Sequence, residues 1–209
     1  MTHNNLQLQN IEMSLHGKTL LAVDQKIAGG QVFTVMGPSG SGKSSLLAFI
    51  AGFLPDVFTA SGRVLINNLD LTALPPEQRG IGLLFQDPLL FPHLSVGENL
   101  RFGLPAHEQN KDTIVAQQLA EFGMDNFADR DPATLSGGQK SRVALLRLLL
   151  SQPKAVLLDE PFSQLDSELR QEVREMVFAT LRAEGLPVIL VTHDRADAEA
   201  AGGQILELK

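Results

Sequence analysis

Eight consecutive residues carry the clearest chemistry in this chain: Gly37-Pro38-Ser39-Gly40-Ser41-Gly42-Lys43-Ser44. Glycines at this spacing let a backbone bend around an anion, so that several N–H groups converge on phosphate oxygens. A lysine and a hydroxyl at the end complete the pattern G-x-x-x-x-G-K-[ST]. Lys43 is placed to reach β- and γ-phosphates and Ser44 to hold Mg²⁺, with Ser45 next in the helix that follows. A second centre lies at Val156-Leu157-Leu158-Asp159-Glu160. A buried strand explains the apolar residues but not the two acids. Asp159 can share a cation with Ser44, and Glu160 can orient an attacking water or accept its proton.

Both centres need a strand to deliver them. Val32 to Met36 is a short β-branched, apolar run leading into the glycine loop, and Ser45 to Ala51 is a helical pattern closed by Gly52 and Pro55. Further strands are expected near Leu6, Leu8, Ile11 and Met13, and over Thr19–Ile27, Arg63–Ile66, Ile81–Phe85, Ala155–Leu158, Val188–Thr192 and Ile205–Leu208, the last an edge strand. Ser61-Gly62 reads as a turn and Asn67-Asn68 as a tight hairpin turn, since Asn tolerates φ > 0. Helices are expected over Lys111–Phe122, with Ile114, Leu119 and Phe122 near one face, and over Ser141–Leu150. A long polar helix, Asp166–Glu184, presents Leu169, Val173, Met176, Val177 and Leu181 to the core. From Asp87 to Thr134 prolines 88, 92, 105 and 132 punctuate short helical patterns, the mark of a helical insert. The expected class is α/β: one domain, 1–209, with residues 1–86 and 135–209 as a core carrying an antiparallel β-subdomain, and 87–134 as a helical subdomain.

The net charge of −7 argues against a nucleic-acid binder working through a basic face. Cysteine is absent, which removes disulfides and thiolate metal sites and suits a reducing cytoplasm. No apolar run reaches membrane-spanning length, and Met1–Gln9 lacks the apolar core of a signal peptide.

Leu135-Ser136-Gly137-Gly138-Gln139 opens the next apolar helix. By residue type it is an ordinary capped helix start, or an anion site at a helix N-terminus. As a string, LSGGQ resembles the signature of the ATP-binding-cassette (ABC) ATPases. The rest of the set follows that family's order from about Leu6 to His193: the phosphate loop, Gln86 after a strand, LSGGQ, Asp159-Glu160, Ser163-Gln164-Leu165-Asp166 and Val191-Thr192-His193-Asp194. The resemblance implies a P-loop NTPase with a RecA-like core, binding ATP and Mg²⁺. It implies that Ser136, Gly137, Gly138 and Gln139 cover the γ-phosphate held by a second copy. Gln86 would touch Mg²⁺ or the attacking water, Asp166 would lie at the seam between copies, and His193 would contact the γ-phosphate and hold the water with Glu160. By type alone, Gln86 is a loop residue, Asp166 a helix cap and His193 a structural histidine.

Leu69–Pro76 and Leu90–Leu100 are similar to importer-type cassettes, in which the region after Gln86 receives a helix of a membrane subunit; Phe91 and Leu94 there are equally readable as core. The resemblance thus implies a homodimer peripheral to the cytoplasmic face of a membrane, with membrane-spanning transporter subunits, a solute-binding protein and no nucleic acid as partners. A soluble cassette ATPase and an exporter cassette are the alternatives. A small-molecule kinase would share the phosphate loop but has no use for LSGGQ. The chain departs from the family pattern at Gln164, where alanine is frequent, and at Leu146 and Leu148, where small residues are usual. At the base-stacking position, usually aromatic, the counterpart is His16, which predicts weak discrimination between ATP and GTP.

Overall fold

The computed structural model describes residues 4–208. Its first sheet is antiparallel, in the order β2-β1-β4-β5, built from β1 (Asn5–Leu15), β2 (Lys18–Ala28), β4 (Phe58–Ile66) and β5 (Leu69–Asp70). Leu6, Leu8, Ile11 and Met13 are all buried, although the middle two are three residues apart. Strict alternation would turn one pair outward. A β-bulge resolves this: the register slips between Leu8 and Ile11 against β2 and between Gln9 and Glu12 against β4, with Asn10 inside both slips at φ 47°. Gly62 faces the bulge at φ 95°, and a Cβ there would come within 2.5 Å of the Asn10 carbonyl oxygen. Ser61-Gly62 is therefore not a turn but the interior of β4, which starts at Phe58; a glycine with positive φ serves a bulge as readily as a turn. Asn67 and Asn68, at φ 51° and 66°, make the hairpin turn that joins Ile66 to its partner Leu69.

The second sheet is parallel, in the order β6-β7-β8-β3-β9. Its strands are β3 (Val32–Met36), β6 (Ile81–Leu84), β7 (Ala155–Asp159), β8 (Val188–Thr192) and β9 (Gln204–Glu207). Every residue of β8 is buried, as expected for a strand covered on both faces. On one side α1 (Lys43–Ala51) packs with the inward face of the antiparallel sheet in a single apolar cluster. On the other, α4 (Gly137–Leu150) and α5 (Ser167–Ala183) supply Leu145, Leu148, Val173, Val177 and Leu181. A separate cluster joins α2 (Val96–Gly103) and α3 (Lys111–Glu121) to the far side of α4 through Val96, Leu100, Val115, Leu119, Val143 and Leu146. Along α3 the buried residues are Val115 and Leu119, while Ile114 is only partly covered.

Two features go beyond the periodicity. α4 begins at Gly137, four residues before its apolar run, and a short helix α6 (Arg195–Ala201) follows β8. α6 is made of charged residues and alanine, so no apolar stripe announces it. The bulky Leu146 and Leu148 of α4 are both accommodated: Leu146 faces the α2–α3 cluster, and Leu148 occupies room left by Gly82 on β6, where a Cβ would lie 3.0 Å from its Cγ. Among the described residues no helix is long and apolar enough to cross a membrane.

Candidate nucleotide-binding site

The strand order brings three loops to one edge. β8 lies between β3 and β7, pairing Met36 with Thr192 and Asp159 with Val191. The glycine loop after β3, Asp159-Glu160 at the end of β7 and His193 after β8 therefore share the C-terminal edge of the parallel sheet, where open α/β sheets take their ligands.

The loop from Gly37 to Ser44 is shaped by Gly40 and Gly42, at φ 82° and 93°. Gly42 caps α1 with no side-chain hydrogen bond, which leaves the first amides of the helix without side-chain acceptors. Lys43 is buried, and its Nζ donates to the carbonyls of Gly37 and Pro38 at 2.9 Å each. An ammonium has three donors, so one remains for a ligand. The Ser44 hydroxyl donates to Asp159 Oδ1 at 3.1 Å. Burial pushes the Asp159 carboxyl up from its ordinary value and the Glu160 charge adds to this, while the Ser44 bond and Lys43 pull it back. Among the described residues no three His, Cys, Asp or Glu side chains are placed to hold a metal ion together. A cation here would have one carboxylate and one hydroxyl from the protein, the sparse oxygen set that suits Mg²⁺ completed by phosphate and water.

Glu160 sits just past β7 at φ 47°, a left-handed conformation that costs a non-glycine residue on the order of 1–2 kcal/mol. Its amide donates to Val191 O at 2.9 Å, and its carbonyl accepts from the Ser163 hydroxyl at 2.9 Å. Held this way, Glu160 Oε2 lies 3.1 Å from His193 Nδ1; the imidazole is 62% exposed and the carboxylate 24%, so the pair opens toward solvent at the histidine. Asp194 next to it caps α6 by accepting from Ala196 N at 2.8 Å. Burial would raise the Asp194 carboxyl, but the Ala196 N–H and the Arg170 guanidinium outweigh it and hold it below its ordinary value.

A cavity of about 350 Å³ opens beside the glycine loop, lined by Ser39, Gly40, Gly42, Lys43, Ser44, Ser45 and Glu160 on one side and by Leu15, Leu20 and Phe58 on the other. His16 does not line it; this residue is exposed at the tip of the β1–β2 hairpin, at φ 50°. The apolar wall arises from a second bulge, where Met13 pairs with Leu21 and Ser14 with Thr19, which leaves Leu20 unpaired on β2. A Cβ on Gly42 would lie 3.3 Å from Leu20 Cβ, so this wall touches the phosphate loop itself. Phe58, paired with Leu15 across the sheet, was hidden because the sequence reads its segment as loop.

The remaining expected residues lie apart from that cavity. Gln86 is exposed in the loop after β6, two residues past the Leu84–Leu158 pair, with no hydrogen bond to Ser44 or Asp159 among the described residues. Ser136 caps α4: its Oγ accepts from Gln139 N at 3.3 Å, and Gln139 Oε1 accepts from Ser136 N at 3.0 Å. Gly137 packs against Leu165, just before α5, and Gly138 against the start of that helix, where a Cβ would come within 2.6 Å of Leu169 Cδ1. Asp166 is exposed and caps α5, accepting from Leu169 N at 3.0 Å.

A phosphate loop, an acid-terminated strand one place beyond its neighbour in the same sheet and a capped LSGGQ helix apart from the cavity define a cassette-type P-loop ATPase. Residues 20–163 match the sequence model of the family described as ABC transporter, and the chain belongs to that family as an ATP-binding, ATP-hydrolysing protein. It is 46% identical over 198 residues to YnjD, an ABC transporter ATP-binding protein of Escherichia coli K12, a match covering 93% of this chain and 91% of that protein. It is 38% identical over 211 residues to the spermidine/putrescine import ATP-binding protein PotA of Mesoplasma florum, covering 99% of this chain and 59% of that one. With the putative 2-aminoethylphosphonate import ATP-binding protein PhnT of Salmonella typhi it shares 41% identity over 201 residues, covering 93% and 53%. The chain thus spans little more than half the length of these two import proteins.

Proposed function

We propose that this chain works as one of two identical copies that energise uptake of a small solute through separate membrane-spanning subunits, with a solute-binding protein delivering the cargo. The observation that carries this reading is the meeting of two pairs, Ser44 with Asp159 and Glu160 with His193, each 3.1 Å apart, at the mouth of the loop that holds Lys43. The import direction is supported by PotA and PhnT, whose names give import.

Lys43 and the loop amides would hold the β- and γ-phosphates of ATP, and the base would rest against Leu15, Leu20 and Phe58. Ser44 and Asp159 would hold Mg²⁺, with Gln86 as a further ligand or a contact to the water; bound Mg²⁺ neutralises charge on the phosphate oxygens. Glu160 orients the attacking water and accepts its proton, and His193 keeps the carboxylate aimed while facing the γ-phosphate. Ser136 to Gln139 of one copy would close over the γ-phosphate of the other, with Asp166 at the seam. Positioning and charge neutralisation supply most of the acceleration.

The membrane subunit is assigned to the groove lined by Phe85, Pro88, Leu89 and Phe102, with a volume of about 310 Å³. Phe85, Leu89 and Phe102 are unusually exposed for large apolar residues, and the groove begins next to Gln86. Phe91 is a supporting wall instead, stacked edge-on against Phe102 at 4.7 Å. With a partner helix seated there, the chain would lie against the membrane, on its cytoplasmic face in this reading.

Glu160→Gln tests the core of the reading. The variant should bind MgATP normally, turn it over on the order of 100-fold more slowly or worse, and accumulate as an ATP-bound dimer by size-exclusion chromatography. Near-normal turnover would remove Glu160 from the role of base.

A further inference from the structure

Arg170 lies one turn into α5, and its side chain folds back toward the helix start. Its Nη2 donates to the carbonyls of Ser163 and Leu165 at 3.2 Å each, and its Nη1 pairs with Asp194 Oδ2 at 2.8 Å. The guanidinium therefore ties the segment leading into Asp166 to the loop carrying His193. Those two loops already touch at their other ends, through Glu160 and His193. The contacts close a ring: Glu160 at the start of the first segment, Ser163 and Leu165 along it, Arg170, Asp194, His193, and Glu160 again. Among the described residues Arg170 Nε is buried and has no hydrogen-bond partner, so the group is not placed for the fullest satisfaction of its own donors. Its placement is the one that spans both loops. Lysine could keep the ion pair to Asp194, but a point-like ammonium cannot hold two carbonyls and a carboxylate with the geometry of a planar fork.

We propose that Arg170 is a positioning residue, which sets the Glu160–His193 pair for hydrolysis and links it to the segment that ends at Asp166. This inference rests on the assignment of Glu160 and His193 to the reaction. Arg170 touches neither the phosphate loop nor the base wall among the described residues, so nucleotide affinity should be independent of it, and turnover should not.

The test compares Arg170→Met, Arg170→Lys and Asp194→Asn with the unaltered chain, measuring melting temperature, MgATP affinity, kcat and KM. Asp194→Asn keeps an oxygen for the α6 cap and so retains a folded control if the arginine variants unfold. Expected are affinities within about twofold and kcat lowered on the order of 10- to 100-fold by Arg170→Met and Asp194→Asn, with Arg170→Lys between. In a His193→Ala background the same changes should cost little more, because they act through that histidine. A stable Asp194→Asn or Arg170→Met protein with unaltered kcat overturns the proposal, as does a full additive loss on top of His193→Ala. If Glu160→Gln itself turns over normally, the assignment beneath the proposal is what has failed; if Glu160→Gln is inactive and the Arg170 and Asp194 variants are not, the fault lies with Arg170 alone.

Discussion

Two helices in this molecule start at glycine-rich sequences, and they start in opposite ways. α1 is capped by Gly42 in a left-handed conformation, with no side chain bonded to its first amides and a cavity in front of them. α4 is capped by Ser136 and Gln139, each accepting from the backbone of the other, and its glycines are there to let α5 come close. The first start is unfinished and wants an anion from outside the protein. The second has satisfied part of its own demand, lies on the surface, and lines no part of the same chain's phosphate cavity. The difference fits the proposed division of labour, in which α1 would meet a nucleotide of its own chain and α4 a nucleotide brought by another copy.

The comparison breaks most sharply at Lys43. Lys43→Ala should weaken MgATP binding to the isolated chain on the order of 100-fold, read by equilibrium titration, since it removes a buried charge from the unfinished start. Ser136→Arg should leave that titration unchanged and slow turnover about tenfold or more, because the new side chain blocks only the neighbour's site; an equal loss of affinity would place Ser136 in the same-chain site. Gly138→Ala sharpens the packing half of the contrast. Its methyl meets Leu169, and chemical denaturation should show a loss of about 1–3 kcal/mol with nucleotide affinity preserved. The smallest effect belongs to Asp159. Its folded-state pKa is raised, so stability is lost as the pH rises from the ordinary carboxylate range through that pKa, and the ionised carboxylate carries the full cost above it. Asp159→Asn should therefore melt slightly higher than the unaltered protein at neutral pH without nucleotide, and the gap should close as the pH falls toward the ordinary carboxylate range.

What the chain discloses before folding is what depends on neighbours in sequence. β3 and β8 are short apolar runs whose limits are plain, and Asn67-Asn68 is a hairpin turn because asparagine accepts positive φ. The eight-residue phosphate loop is local too, so its shape follows from its glycines. What stayed hidden depends on pairing. Nothing near Glu160 or His193 reveals that β7 and β8 lie side by side, yet their 3.1 Å contact follows from that order. Phe58 could not be placed against Leu15 while Ser61-Gly62 read as a turn, and Arg170 looks like any charge on a polar helix until Asp194 is brought to it. His16 and Leu15 are neighbours, and only the register of the hairpin tells which one faces the cavity.

The bulge at Leu20 makes the apolar wall of the cavity a matter of counting. With one residue to spare on β2, this strand's approach to the phosphate loop is in phase with Leu15 on β1, and the two leucines reach the cavity together. A substitution at Leu20 alters the wall by the size of one side chain. Removing the residue instead would shift everything between it and the hairpin tip by half a repeat, exchanging faces while leaving the glycine loop's own sequence intact. The surface proposed to meet the base and the loop proposed to meet the phosphates are thus written in different alphabets, one in phase and one in composition, and a lineage could rewrite the first without touching a letter of the second.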